Sequence, residues 1–65
     1  MKLIVNGEAR EVEAATLAAA LDELGHGGAV VATALNGAFV PIRKRAETAL
    51  NDGDRLEILT PMQGG

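Results

Sequence analysis

Apolar and polar positions alternate at the start of the chain, with Met1, Leu3 and Val5 on one face. A period of two marks a strand covered on one side only. Asn6-Gly7 follows, a dipeptide suited to a two-residue hairpin turn, and Glu8 to Glu13 returns with Val12 inward and its charges outward. The period then changes. Leu17, Ala20, Leu21 and Leu24 stand at i, i+3, i+4 and i+7, one apolar helical stripe. Thr16 is the expected N-cap, its hydroxyl accepting from a first-turn amide, and Gly25 the expected stop. Asp22 and Glu23 lie at the end of the helix where the dipole disfavours acids, a mild local cost. A helix this short needs tertiary packing to persist.

The second half returns to strand character. Ala29 to Leu35 is β-branched and apolar, Asn36-Gly37 is a second hairpin turn, and Ala38 to Ile42 runs back. Pro41 has no amide to donate, so this returning strand is expected at a sheet edge. Arg43 to Asn51 reads as irregular chain or a short helical turn. Asp52-Gly53-Asp54 is a tight turn, and Arg55 to Thr60 is the last strand, with Leu56 and Ile58 on one face. The order is ββαβββ. It predicts an α+β fold in which a mixed five-stranded sheet packs on one helix.

Composition narrows what such a domain can do. Sixty-five residues hold one core. A chain of that size buries only about 60% of its unfolded surface, so modest stability is expected. There is no cysteine and a single histidine, His26, which leaves no thiolate nucleophile and no metal-ligand cluster. The net charge of −3 argues against nucleic acid as partner, and with Phe39 as the lone aromatic there is no platform for stacking bases. No apolar run reaches membrane-spanning length, and the amino terminus lacks the basic start and apolar core of a signal peptide. The expected setting is cytoplasmic, and the expected free state is a monomer.

The remaining chemistry lies in the segment "PMQGG". Glycine averages about 7% of residues, so a closing pair arises by chance in roughly half a percent of chains. The element order, the segments "ALNGAFVP" and "NDGDRLEIL" and the final Gly64-Gly65 together resemble the ThiS family, the small sulfur carriers of thiamine synthesis. The resemblance covers essentially the whole chain. Two positions depart from the family pattern. Pro41 is followed by Ile42 and Arg43-Lys44-Arg45, without the tryptophan common a few residues on, and the tail lacks the usual valines.

The resemblance implies a β-grasp, ubiquitin-like domain over residues 1–60 and a flexible tail over 61–65. It implies that Gly65 carries the reacting carboxylate, with Gly64 beside it. An α-carboxyl ionises near about 3.3–3.7, so at neutral pH it is a poor electrophile and needs activation. An E1-like adenylyltransferase of the ThiF type would use ATP and magnesium to form the acyl adenylate; the carrier itself binds no cofactor. A sulfur donor, a cysteine desulfurase or a persulfide, then yields a thiocarboxylate for a ThiG-type thiazole synthase. On this reading the chain is a co-substrate and not an enzyme. A molybdopterin-type carrier shares the fold, tail and chemistry, and a ubiquitin-like binding module shares the fold alone. Glycine suits the tail because it lacks the Cβ that would obstruct a narrow channel. Pro61 ends the ladder, and five extended residues reach at most about 16–18 Å.

Other features read more simply. His26 in "GHGG" is a loop residue, Arg43-Lys44-Arg45 a solvated face, and Asp52 with Asp54 lacks the further ligands of a calcium loop. Alternation places Val40 and Ile42 on one face and Phe39 and Pro41 on the other, while Leu59 faces away from Leu56 and Ile58. One helix covers one face of a sheet. Ile4, Phe39, Leu59 and Met62 are therefore expected to form an apolar partner-binding patch on the other.

Overall fold

Leu3 and Val5 are buried and Lys2 is exposed along strand β1 (Lys2–Val5), so the opening alternation is the in-and-out pattern of a half-covered strand. The computed structural model describes residues 1–61. Strand β1 turns at Asn6-Gly7 into β2 (Glu8–Glu11), and Ile4 pairs with Ala9 across the hairpin. Asn6 has φ 49° and Gly7 φ 85°, the left-handed pair that a two-residue hairpin requires. The expected second strand extends to Glu13; the observed strand ends at Glu11. Val12 still pairs with Met1, its amide donating to the Met1 carbonyl at 2.8 Å and the Met1 amino group donating to the Val12 carbonyl at 2.7 Å. Val12 nevertheless points inward and is fully buried.

Helix α1 (Leu17–Glu23) starts where the sequence places it. The amide of Ala19 donates to the Thr16 hydroxyl oxygen at 3.3 Å, and Gly25, just past the C-cap Leu24, has φ 90°. Seven residues are too few for an autonomous helix, and Leu17, Ala20 and Leu21 anchor this one in the core. Strands β3 (Ala32–Leu35) and β4 (Ala38–Val40) form the second Asn-Gly hairpin, and β5 (Arg55–Leu59) closes the sheet. The sheet order is β2-β1-β5-β3-β4, with β1 and β5 parallel at its centre and the other pairs antiparallel. β4 is an edge strand, as expected, although Pro41 itself lies just past its end. Leu3, Val12, Leu17 and Leu56 are completely buried between sheet and helix, and Ile58 and Leu50 adjoin them.

Further expectations are corrected. The alternation of β4 does not continue through Ile42. Pro41 is extended (φ −68°, ψ 156°) and leads into a 3₁₀ segment, Ile42–Glu47, which leaves Ile42 72% exposed instead of facing inward with Val40. Proline cannot extend the ladder but fits well at the entrance to a helical turn. Likewise β3 starts at Ala32, and Val30 is exposed.

Another correction concerns Arg45, which is not part of a solvated face. The 3₁₀ segment packs against α1 and sends Arg45 inward to 8% exposure, while Arg43 and Lys44 stay outside. Its Nε donates to Thr33 Oγ1 at 3.0 Å and its terminal nitrogen to the Val31 carbonyl at 2.6 Å, and Thr33 Oγ1 donates onward to the Val40 carbonyl at 2.9 Å. A buried guanidinium is tolerated when its N–H groups find oxygen acceptors, and no buried side-chain N or O among the described residues lacks one. Glu23 stands at the C-terminal end of the helix, as expected, and its carboxylate there accepts from the amides of Glu13 and Ala14 at 3.0 Å, satisfying the linker between β2 and α1.

Candidate functional site

β5 delivers the chain to Pro61, and each feature of the candidate site is positioned relative to this strand. Met62, Gly64 and Gly65 lie outside the described residues. Leu56 and Ile58 point into the core, which turns Arg55, Glu57 and Leu59 to the face without a helix; Leu59 is 64% exposed. On the neighbouring strand Ala32 stands opposite Leu59 and Ala34 opposite Glu57, and beyond it Phe39 of β4 stands opposite Ala34. Phe39 is 70% exposed. Phe39 and Leu59 therefore flank a floor of two alanines on the same face of the sheet.

Ile4 shares that face but belongs to its other half. It lies opposite Arg55 in the parallel pair, so the charged side chains of β5 separate it from Phe39, and it is half-buried. Beside it runs an open groove of about 710 Å³ bordered by Ile4, Asn6, Asn36, Arg55 and Glu57. The apolar side chains expected together thus divide into Phe39 and Leu59, on either side of β3 and offset along it by two residues, and an outlier, Ile4. Sequence reading missed Ala32 and Ala34 as the floor of that pair, although "ATALNG" carries the needed alternation in its two alanines.

The two hairpin asparagines hold β5 from either side. The amide of Arg55 donates to Asn36 Oδ1 at 2.9 Å, and Asn36 Nδ2 donates to Asp54 Oδ1 at 3.1 Å. On the other side Ile58 donates its amide to Asn6 Oδ1 at 2.8 Å, and Asn6 Nδ2 donates to the Ile58 carbonyl at 3.1 Å. The turn before β5 is fixed as well: Lys2 donates to Asp52 Oδ1 at 2.7 Å and Asn51 to Asp54 Oδ2 at 2.8 Å, so both aspartates are engaged by main-chain amides. Among the described residues, no three acidic or histidine side chains gather as metal ligands, and no helix is long and apolar enough to cross a membrane.

The family model described as ThiS family matches residues 3–65. The chain belongs to the ThiS family. A crystal structure of the thiamine biosynthesis protein ThiS from Geobacter metallireducens superposes with a TM-score of 0.82 at 33% identity, covering all of both chains. A solution NMR structure of a thiamine biosynthesis protein from the same organism gives 0.79 at 32% identity, covering all of this chain and 88% of that one. The five-stranded mixed sheet on one helix is thus the ThiS β-grasp. A protein of Paramagnetospirillum magneticum named thiazole synthase is 46% identical over 66 residues; the match takes in this entire chain but only 20% of that protein. The chain therefore spans about a fifth of the length of that relative. The ThiS match runs through Gly64 and Gly65 and includes Phe39, Leu59 and Ile4.

Proposed function

We propose that the chain is a sulfur carrier for thiazole formation in thiamine biosynthesis, with the Gly65 carboxylate as the group that is loaded. The observation that carries this reading is the ThiS family match extending over residues 3–65, through the double glycine. The whole-chain similarity to a solved ThiS protein supports it, and the relative named thiazole synthase favours the thiazole destination over molybdopterin.

The chemistry requires a free carboxylate on Gly65. A ThiF-type adenylyltransferase with ATP and magnesium joins that carboxylate to AMP and releases pyrophosphate. A persulfide sulfur, supplied by a cysteine desulfurase, then attacks the acyl carbon and AMP leaves. A thiol reductant cleaves the resulting S–S bond and frees the thiocarboxylate, whose sulfur passes to a ThiG-type thiazole synthase. The domain contributes no acid, base or metal to these steps. It contributes a rigid body to be grasped, with the exposed pair Phe39 and Leu59, and Ile4 and Met62 as further candidates, forming the docking face. Pro61 to Gly65 is the tail that enters the enzyme sites.

Intact mass measurement of the chain recovered from cells grown without thiamine tests the reading. The expected result is a fraction heavier by one sulfur-for-oxygen exchange, localised to the C-terminal peptide. Deleting Gly65 should abolish ATP–pyrophosphate exchange by the adenylyltransferase. Undiminished exchange with the deleted chain would sink the proposal.

A further inference from the structure

β5 outruns its parallel neighbour. The last backbone pair with β1 is Val5 with Leu56, and β1 then turns away at Asn6-Gly7, whereas β5 continues to Leu59. The main-chain groups of Ile58 on that side would have no partner. Asn6 supplies both, accepting from the Ile58 amide at 2.8 Å and donating to its carbonyl at 3.1 Å, although the two residues are 52 positions apart. One side-chain amide thus adds a backbone-like rung to the sheet, and a left-handed φ of 49° aims it there. The rung lies three residues before Pro61. The matching asparagine, Asn36, grips Arg55 at the opposite end of the strand, six residues before Pro61.

We infer that Asn6 is a positioning residue for the loading reaction: its bidentate bond to Ile58, three residues before Pro61, fixes the end of β5 and so the point from which the chain departs the sheet. The inference rests on the carrier reading above. A tail that must place one carboxyl carbon in an active site is sensitive to its point of departure, because small misplacements of reacting atoms lower rates steeply. Docking depends on other side chains, so the effect falls on turnover and not on affinity.

The test compares three variants of the 65-residue chain. Asn6→Gly tolerates the turn conformation and removes the rung, Asn6→Asp keeps the acceptor for the Ile58 amide and loses the donor, and Asn36→Gly removes the grip at the other end. The readouts are amide hydrogen exchange at Ile58 and steady-state ATP–pyrophosphate exchange with a ThiF-type adenylyltransferase, ATP and magnesium. For Asn6→Gly, faster exchange at Ile58 is expected, with kcat lowered by about tenfold or more and KM within about twofold of wild type. Asn6→Asp should lie between, and Asn36→Gly should keep the wild-type kcat. A wild-type kcat for Asn6→Gly, or an equal loss for Asn6→Gly and Asn36→Gly, overturns the inference. If Asn6→Gly does not fold, Asn6→Asp decides by the same criteria. A wild-type chain that supports no pyrophosphate exchange overturns the carrier reading itself, which separates the two failures.

Discussion

Leu56 and Leu59 are the same residue type three positions apart on one strand, yet the first is completely buried and the second is 64% exposed. The difference is that between the two faces of the sheet. On one face α1 brings down Leu17, Ala20 and Leu21 and closes the core over Leu3, Leu56 and Ile58. A helix of seven residues is only about 10 Å long, and a single one covers a single face. The other face keeps Phe39 and Leu59 in solvent above Ala32 and Ala34. The covered face holds the domain together, and the uncovered face leaves two large apolar side chains exposed. Apolar character alone does not tell a buried residue from an exposed one; the position of the helix does.

This contrast should break first at the core. Leu21→Ala and Leu56→Ala are each expected to cost about 2–5 kcal/mol, the range for a buried leucine that leaves a cavity. In so small a domain either loss should lower the urea midpoint sharply, and an unchanged midpoint for Leu56→Ala would mean that the two faces are not energetically distinct. Next in size is Arg45→Ala. It removes two hydrogen bonds and strands the Val31 carbonyl, so a loss of about 1–3 kcal/mol is expected. A thermal melt of Arg43→Ala beside it sharpens the point, since Arg43 is exposed and should shift little.

The smallest effects on stability belong to the uncovered face. Leu59→Asp and Phe39→Ala should each change unfolding free energy by only about 0.5 kcal/mol. Their effect should appear in binding. Phe39→Ala is expected to weaken association with the adenylyltransferase by more than about 1 kcal/mol, and Leu59→Asp by more, because a carboxylate would be buried unpaired at the contact. Calorimetric titration of the folded variants measures this. Normal binding by both would remove the face from the docking surface and turn attention to Arg43 and Lys44, since Arg45 is committed to the core.

Much of this architecture is local in origin and therefore readable along the chain. The two Asn-Gly turns, the Thr16 cap, the Gly25 stop and the inward set Leu3, Val12, Leu56 and Ile58 follow from turn chemistry and from periods of two and 3.6. So does the exposure of Leu59 in outline, because it must face away from Ile58 once the strand is assigned. What the chain could not disclose depends on partners distant in sequence. Arg45 looks like one of three solvated cations until the 3₁₀ segment sets it beneath Thr33 and Val31, and Glu23 looks like an error of helix design until the Glu13 and Ala14 amides meet it. Ile4 shares the alternation of the patch, but only the pairing of β1 with β5 puts Arg55 between it and Phe39. Asn6 is the sharpest case. Its backbone conformation is specified by two adjacent residues, whereas its side chain acquires its role only because β5 extends past β1, a fact about strand order that no local propensity encodes.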